Sequence, residues 1–174
     1  MEKNNRLELP EPWLRGTLTE VAPVTRGVLH ALELAGEDLH RWCSPLSDEQ
    51  LNARPAALPP LAFHLRHIAR SLDRLLSYAE NRPLNDSQLA ALKSELDLNA
   101  TRAELFLELD AALTNAAERV RALSAIDPAT PREVGKKRLP TTVGGLLVHI
   151  ADHTQRHVGQ AITTAKIVKS LPAS

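Results

Sequence analysis

Aromatic side chains are scarce, at 3% of 174 residues, so any core must be assembled from Leu, Ala, Val and Ile. There is one cysteine, Cys43, which excludes an internal disulfide and a cysteine-based metal cluster. It stands between Trp42 and Ser44 with no basic neighbour, the setting of a packing residue rather than a nucleophile. Net charge is also missing: 21 Lys plus Arg balance 21 Asp plus Glu. No bulk field draws the chain to a polyanion, so nucleic acid is not an expected partner. The longest basic run, Gly135-Lys136-Lys137-Arg138, lies in a proline-flanked segment and reads as a solvated loop. No apolar run approaches the roughly 20 residues that cross a bilayer, and Met1–Arg6 is not followed by the apolar segment of a secretion signal. The expected address is the cytoplasm, with no membrane partner. Strand signals are poor, with no alternating run and no Asn-Gly or Asp-Gly turn. A Gly-rich phosphate loop, a nucleophile elbow and a dinucleotide fingerprint are all lacking.

What is present is ordinary for a globular chain: 43% hydrophobic and 24% charged residues, in a length that suits one domain. The expected organisation is a single domain over 1–174, with 1–16 as an N-terminal extension and the helical body over 17–170. Proline breaks helix interiors but suits a first turn, so the long proline-free windows mark where helices lie. From Pro23 to Pro45, Val24, Val28, Ala31, Ala35, Leu39 and Trp42 recur by threes and fours. From Pro60 to Pro83, Leu61, Leu65, Ile68, Leu72, Leu75, Leu76 and Ala79 share a face. The window from Pro83 to Pro128 divides into a short helix near Asp86–Leu96 and a long one. The long one opens on a capping box, Thr101 to Glu104, and carries Phe106, Leu109, Leu113, Ala116, Val120 and Leu123. After Pro140, with Thr141 or Thr142 as cap, come Val143, Leu147, Ile150, Thr154, Val158, Ala161, Ala165 and Val168. A second capping box, Ser47-Asp48-Glu49-Gln50, predicts one short helical turn. The stretch from Ser124 to Pro140 is expected to be irregular. Trp13 and Trp42 are expected to be packing anchors. Asp73, Arg74, Glu118, Arg119 and Arg121 are expected on solvated faces. Four long amphipathic helices with short helices in the connections describe an all-α four-helix bundle.

Histidine carries the chemistry. Five of the seven fall in two helices: His64 and His67 in the second long one, His149, His153 and His157 in the last. Residues four apart share a helix face, so His153 and His157 can put two imidazoles on one ion. A third from a neighbouring helix would leave open positions for water or substrate. At about 100° per residue, His64 lies roughly 80° from the apolar centre at Leu72 and His67 roughly 140°. Helical phase thus favours His64 and leaves the third ligand open between the two.

The segments Leu65-Arg66-His67-Ile68-Ala69 and Leu146-Leu147-Val148-His149-Ile150-Ala151-Asp152-His153-Thr154-Gln155-Arg156-His157-Val158-Gly159-Gln160 resemble the DinB/YfiT-like superfamily. The likeness runs from about Pro23 to Lys166. It implies a four-helix bundle holding a divalent metal on three histidines, which match His67, His153 and His157 here. Zn is the favoured ion, with Ni or Fe as alternatives. The motif therefore opposes the phase count at one position. His64 and Gln160 become candidates for lining the substrate pocket or supporting the ligands, and His149 a partly exposed surface residue. One departure is Arg70, where many relatives carry Asp, so a carboxylate supporting the site is expected to be missing.

The resemblance implies a divalent-metal-dependent enzyme acting on a small electrophilic substrate, as a small-thiol-dependent S-transferase or a hydrolase, with a low-molecular-weight thiol as partner. The alternative is a non-catalytic, stress-associated helical-bundle module for binding or dimerisation, its metal structural or absent. A homodimer is expected under both.

Overall fold

The computed structural model describes residues 9–97 and 99–171; the Met1–Arg6 run and Pro172 lie outside the described residues. Among the described residues six α-helices and one hairpin follow in order: α1 (Pro23–Cys43), α2 (Asp48–Asn52), α3 (Leu61–Ala79), α4 (Asp86–Lys93), α5 (Arg102–Leu123), β1 (Pro131–Val134), β2 (Leu139–Thr142) and α6 (Val143–Ser170). The helix boundaries follow local chemistry. Pro23 occupies the first turn of α1, where its missing N–H costs nothing. Ser47 with Gln50 and Thr101 with Glu104 form the two expected capping boxes, and Asn85 with Gln88 forms a third at the start of α4. Thr142, one of the two threonines expected there, caps α6 by accepting from the Gly145 N–H at 3.0 Å. Helix α3 ends in a Schellman motif. There Asn81 takes positive φ, its N–H reaches the Tyr78 carbonyl, and the Arg82 N–H reaches that of Ser77.

The four long helices form the expected bundle, in the order α1, α6, α3, α5 around the core and back to α1. The apolar stripes of α3 and α6 are buried along their length, with Leu75 half-buried as the exception. In α1 the buried set is wider than the single stripe read from the sequence: Thr25, Leu29 and Leu32 go in, while Val24 stays exposed. The reason is that α1 packs against both α6 and α5, so two adjoining arcs of its surface are covered. Cys43 is fully buried in this core and its thiol is pushed up to about 12 by burial, so it is inert as a nucleophile near neutrality.

Three expectations need correction. The Ser124–Pro140 connection is not wholly irregular: β1 pairs antiparallel with β2, in the register Pro131 to Thr142 and Val134 to Leu139, and the Gly135–Arg138 run is its turn. Each strand is only four residues long and contains a proline, tolerated because both are edge strands. The hairpin is fastened at both ends. Arg132 Nε donates to the Ala79 carbonyl at the end of α3, and the Gly144 N–H donates to the Pro128 carbonyl. A Cβ at Gly144 would come within 3.1 Å of that carbonyl oxygen, which is why glycine stands in the first turn of α6. Second, Trp13 is no packing anchor: it is 61% exposed, its indole N–H donating to Glu11. Trp42 is half-buried, with Lys166 Nζ 4.5 Å from the ring centre. Third, Arg74 and Arg119 do not lie on solvated faces. Arg119 on α5 bridges Asp73 of α3 and Glu80 just past its end, and Arg74 turns into the site described next.

Candidate metal centre

The centre lies where α3 meets α6. His67, one turn and a half into α3, faces His153 and His157, which stand one turn apart near the middle of α6. One ring nitrogen from each of the three lies within 4.8 Å of the others. The rings are tightly grouped, with centroids 5.0 Å apart for His67 and His153, 4.3 Å for His67 and His157, and 4.8 Å for His153 and His157. All three are half-buried.

Hydrogen bonds set the tautomers. His67 Nδ1 lies 2.7 Å from Glu95 Oε2. A carboxylate only accepts, so Nδ1 carries the hydrogen and Nε2 keeps the lone pair. That Nε2 is 3.0 Å from His153 Nε2. Imidazole nitrogens held about 2.0–2.1 Å from a shared zinc lie roughly 3.0–3.4 Å from each other, so this pair already has the spacing of two ligands on one ion. His157 Nδ1 meets His64 Nδ1 at 3.2 Å. When His157 donates there, its Nε2 is the nitrogen left to bind. The donor set is three neutral imidazoles, sound ligands for Zn, Ni or Fe, and the residues fit a metal ion.

Glu95 was not singled out in the sequence. It lies just beyond α4, is 5% exposed, and also accepts from Arg74 Nη1 at 2.7 Å. Burial alone would raise its carboxyl, but the bonds from His67 and Arg74 and the Arg74 charge more than offset this and hold it below the usual range. The carboxylate expected to be missing is thus supplied from outside α3. Arg70, the departure that suggested its absence, helps to hold it there. Its guanidinium donates to the Ala91 carbonyl, Ser94 Oγ and Glu108, pinning the segment that precedes Glu95 between α3 and α5. A signal was present: Arg70 and Arg74 follow His67 by three and seven, on one face, and two arginines beside a histidine call for acids from elsewhere.

The remaining candidates separate cleanly. His64, which helical phase favoured, is 3% exposed and bonds His157 rather than joining the three-nitrogen cluster. His149 is half-exposed, as expected, with its ring 5.4 Å from that of His153. Asp152 is exposed and pairs with Arg156 at 2.6 Å. Gln160 lines a cleft of about 520 Å³ that opens beside the cluster. His64 and His157 form one side of it, and Leu58, Pro59 and Phe63 another.

His64, His153 and His157 are each lowered to about 4, by burial first and then by neighbouring imidazole charge. Unfolded imidazoles take up a proton near pH 6.5, whereas these hold off until about pH 4. The unfolded state therefore binds more protons within that window, and the native state loses stability as pH falls through it. The melting temperature of metal-stripped protein is expected to drop steadily from pH 6.5 to pH 4. A flat profile across that range would contradict the burial of neutral imidazoles.

Comparison with known proteins agrees with this architecture. No curated protein matches the sequence. Among solved structures, the chain is similar to the crystal structure of a conserved protein from Enterococcus faecalis, with 25% sequence identity and a TM-score of 0.61, covering 85% of this chain and 98% of that one. No helix of the described residues is long and apolar enough to cross a membrane. The family model of the DinB superfamily matches residues 31–161, a span that takes in α3, Glu95 and all three clustered histidines, and the chain belongs to that superfamily.

Proposed function

We propose that the protein is a divalent-metal-dependent enzyme that activates a small thiol or a water for attack on an electrophile, with S-transfer preferred over hydrolysis. The observation that carries this is the convergence of three half-buried imidazoles beside an open cleft, two of them with their Nδ1 atoms engaged by Glu95 and His64. An ion held by three neutral ligands supplies Lewis acidity and lowers the pKa of a thiol or water toward neutrality.

The chain's own groups do the rest. His67, His153 and His157 hold the ion. Glu95 fixes the His67 ring through its Nδ1 hydrogen, as metal-ligating histidines commonly require, and Arg74 keeps that carboxylate ionised. His64 holds the ring of His157. Leu58, Pro59 and Phe63 exclude water from one side of the cleft and give an organic substrate an apolar surface. Of the three clustered histidines, His157 lines that cleft, and it is from this side that a substrate would approach the ion.

The test is turnover by one preparation in two states, loaded with Zn, Ni or Fe and stripped by chelator. The substrates are small cysteine-derived thiols with a chlorodinitroarene for S-transfer, and nitrophenyl esters for hydrolysis. Product formed by the loaded protein alone supports the reading. Equal rates in both states, or no metal uptake, would overturn it.

A further inference from the structure

The cleft beside the cluster has a chemical character of its own. Its lining includes no Asp or Glu among the described residues; its one permanently charged group is Arg156, with Gln160 and Thr163 as neighbouring hydrogen-bonding side chains. Glu95, the carboxylate of the site, is buried and already paired with His67 and Arg74. Any ion on three neutral imidazoles adds positive charge without local compensation. Arg156 is available to a ligand: one of its N–H groups meets Asp152, in a pair with both side chains more than half exposed. Such surface pairs are weak, and a guanidinium has five N–H groups. The opposite wall of Leu58, Pro59 and Phe63 is apolar.

Gly159 adds a second, independent mark. It sits in the interior of the 28-residue α6, where glycine lowers helix stability relative to alanine. Nothing lies within 4 Å of the position a Cβ would take, and its φ is not positive, so neither close packing nor backbone conformation requires it. Its effect is to leave the cleft open beside Arg156 and Gln160.

We infer that this cleft takes a small amphipathic anion, with a hydrocarbon body against Leu58, Pro59 and Phe63 and a carboxylate-like head on Arg156 and Gln160. The inference rests on the metal-centre reading for the fate of the ligand, and on the cleft's own side chains for its binding. It narrows the substrate of that centre to an organic acid and disfavours amines.

Octanoate, octanol and octylamine serve as probes, titrated by NMR into the full chain in its metal-loaded and chelator-stripped states. Octanoate is expected to bind saturably in both states, octanol about tenfold more weakly, and octylamine weakest. Arg156→Gln should cost octanoate about tenfold, the size of a charge-assisted hydrogen bond, and leave octanol unchanged. Gly159→Leu should abolish both while metal content and helical circular dichroism stay at wild-type levels. Equal affinity for octanoate and octylamine, or no effect of Arg156→Gln on octanoate, would overturn the inference even if metal binding and turnover hold. Saturable octanoate binding by a protein that takes up no metal would instead leave the cleft standing and remove the enzyme.

Discussion

His153→Ala and His67→Ala are each expected to reduce bound metal from about one equivalent to near background, measured by mass spectrometry on tag-free protein. Removing a ligand leaves two imidazoles, and the loss should exceed the roughly 10–100-fold that follows from losing an outer partner. His64→Ala marks the boundary of the ligand set. Because His64 bonds Nδ1 of His157 and stands outside the three-nitrogen cluster, this variant should retain metal with weakened affinity. Full metal retention in His67→Ala, with complete loss in His64→Ala, would show that the helical phase count chose better than the motif, and full retention in His153→Ala would overturn both.

The second large effect is expected at Glu95. Glu95→Gln should weaken metal binding by about 10–100-fold in competition with a chromophoric chelator, since an amide cannot accept from both His67 and Arg74 as a carboxylate does. Glu95→Ala should cost stability as well. Arg74 is 11% exposed and Glu95 5%, and leaving one member of such a pair uncompensated costs about 3 kcal/mol. The two contributions can be separated. Adding Arg74→Leu to Glu95→Ala should restore most of the lost thermal stability, because an apolar side chain needs no partner there. It should not restore metal affinity, because His67 still lacks its acceptor. Glu95→Gln binding metal within twofold of wild type would remove the carboxylate from any role in positioning His67.

How far the sequence carried the site is clearest in α3. The stripe from Leu61 to Ala79 was legible because a single buried arc repeats by threes and fours, and His67 was legible only through its motif. Phase ranked His64 above His67 because phase measures distance from the core, and His64 is indeed the more buried of the two. A side chain facing the neighbouring helix sits off the centre of either apolar arc, so amphipathicity alone points to His64, which stands outside the three-nitrogen cluster. For Glu95 the sequence signals only that Arg70 and Arg74 need an acid, not which one. It lies in a connection with no periodicity, and its burial is created by Arg70 and Arg74 reaching across from α3. The hairpin was missed because its four-residue strands are too short to display alternation and each contains a proline. Capping boxes, by contrast, are local in sequence and in space, and those at Ser47 and Thr101 could be read directly.

His67 and His153 meet across 86 residues of chain, and His64 and His157 across 93. During synthesis the three-imidazole cluster cannot form until α6 has emerged and docked on α3, so a metal ion would load only after that docking. The entropy of closing so long a loop grows only slowly with its length, and an ion gripping both helices would keep it closed as a cross-link does. In a chain with a single cysteine, no internal disulfide could take that role.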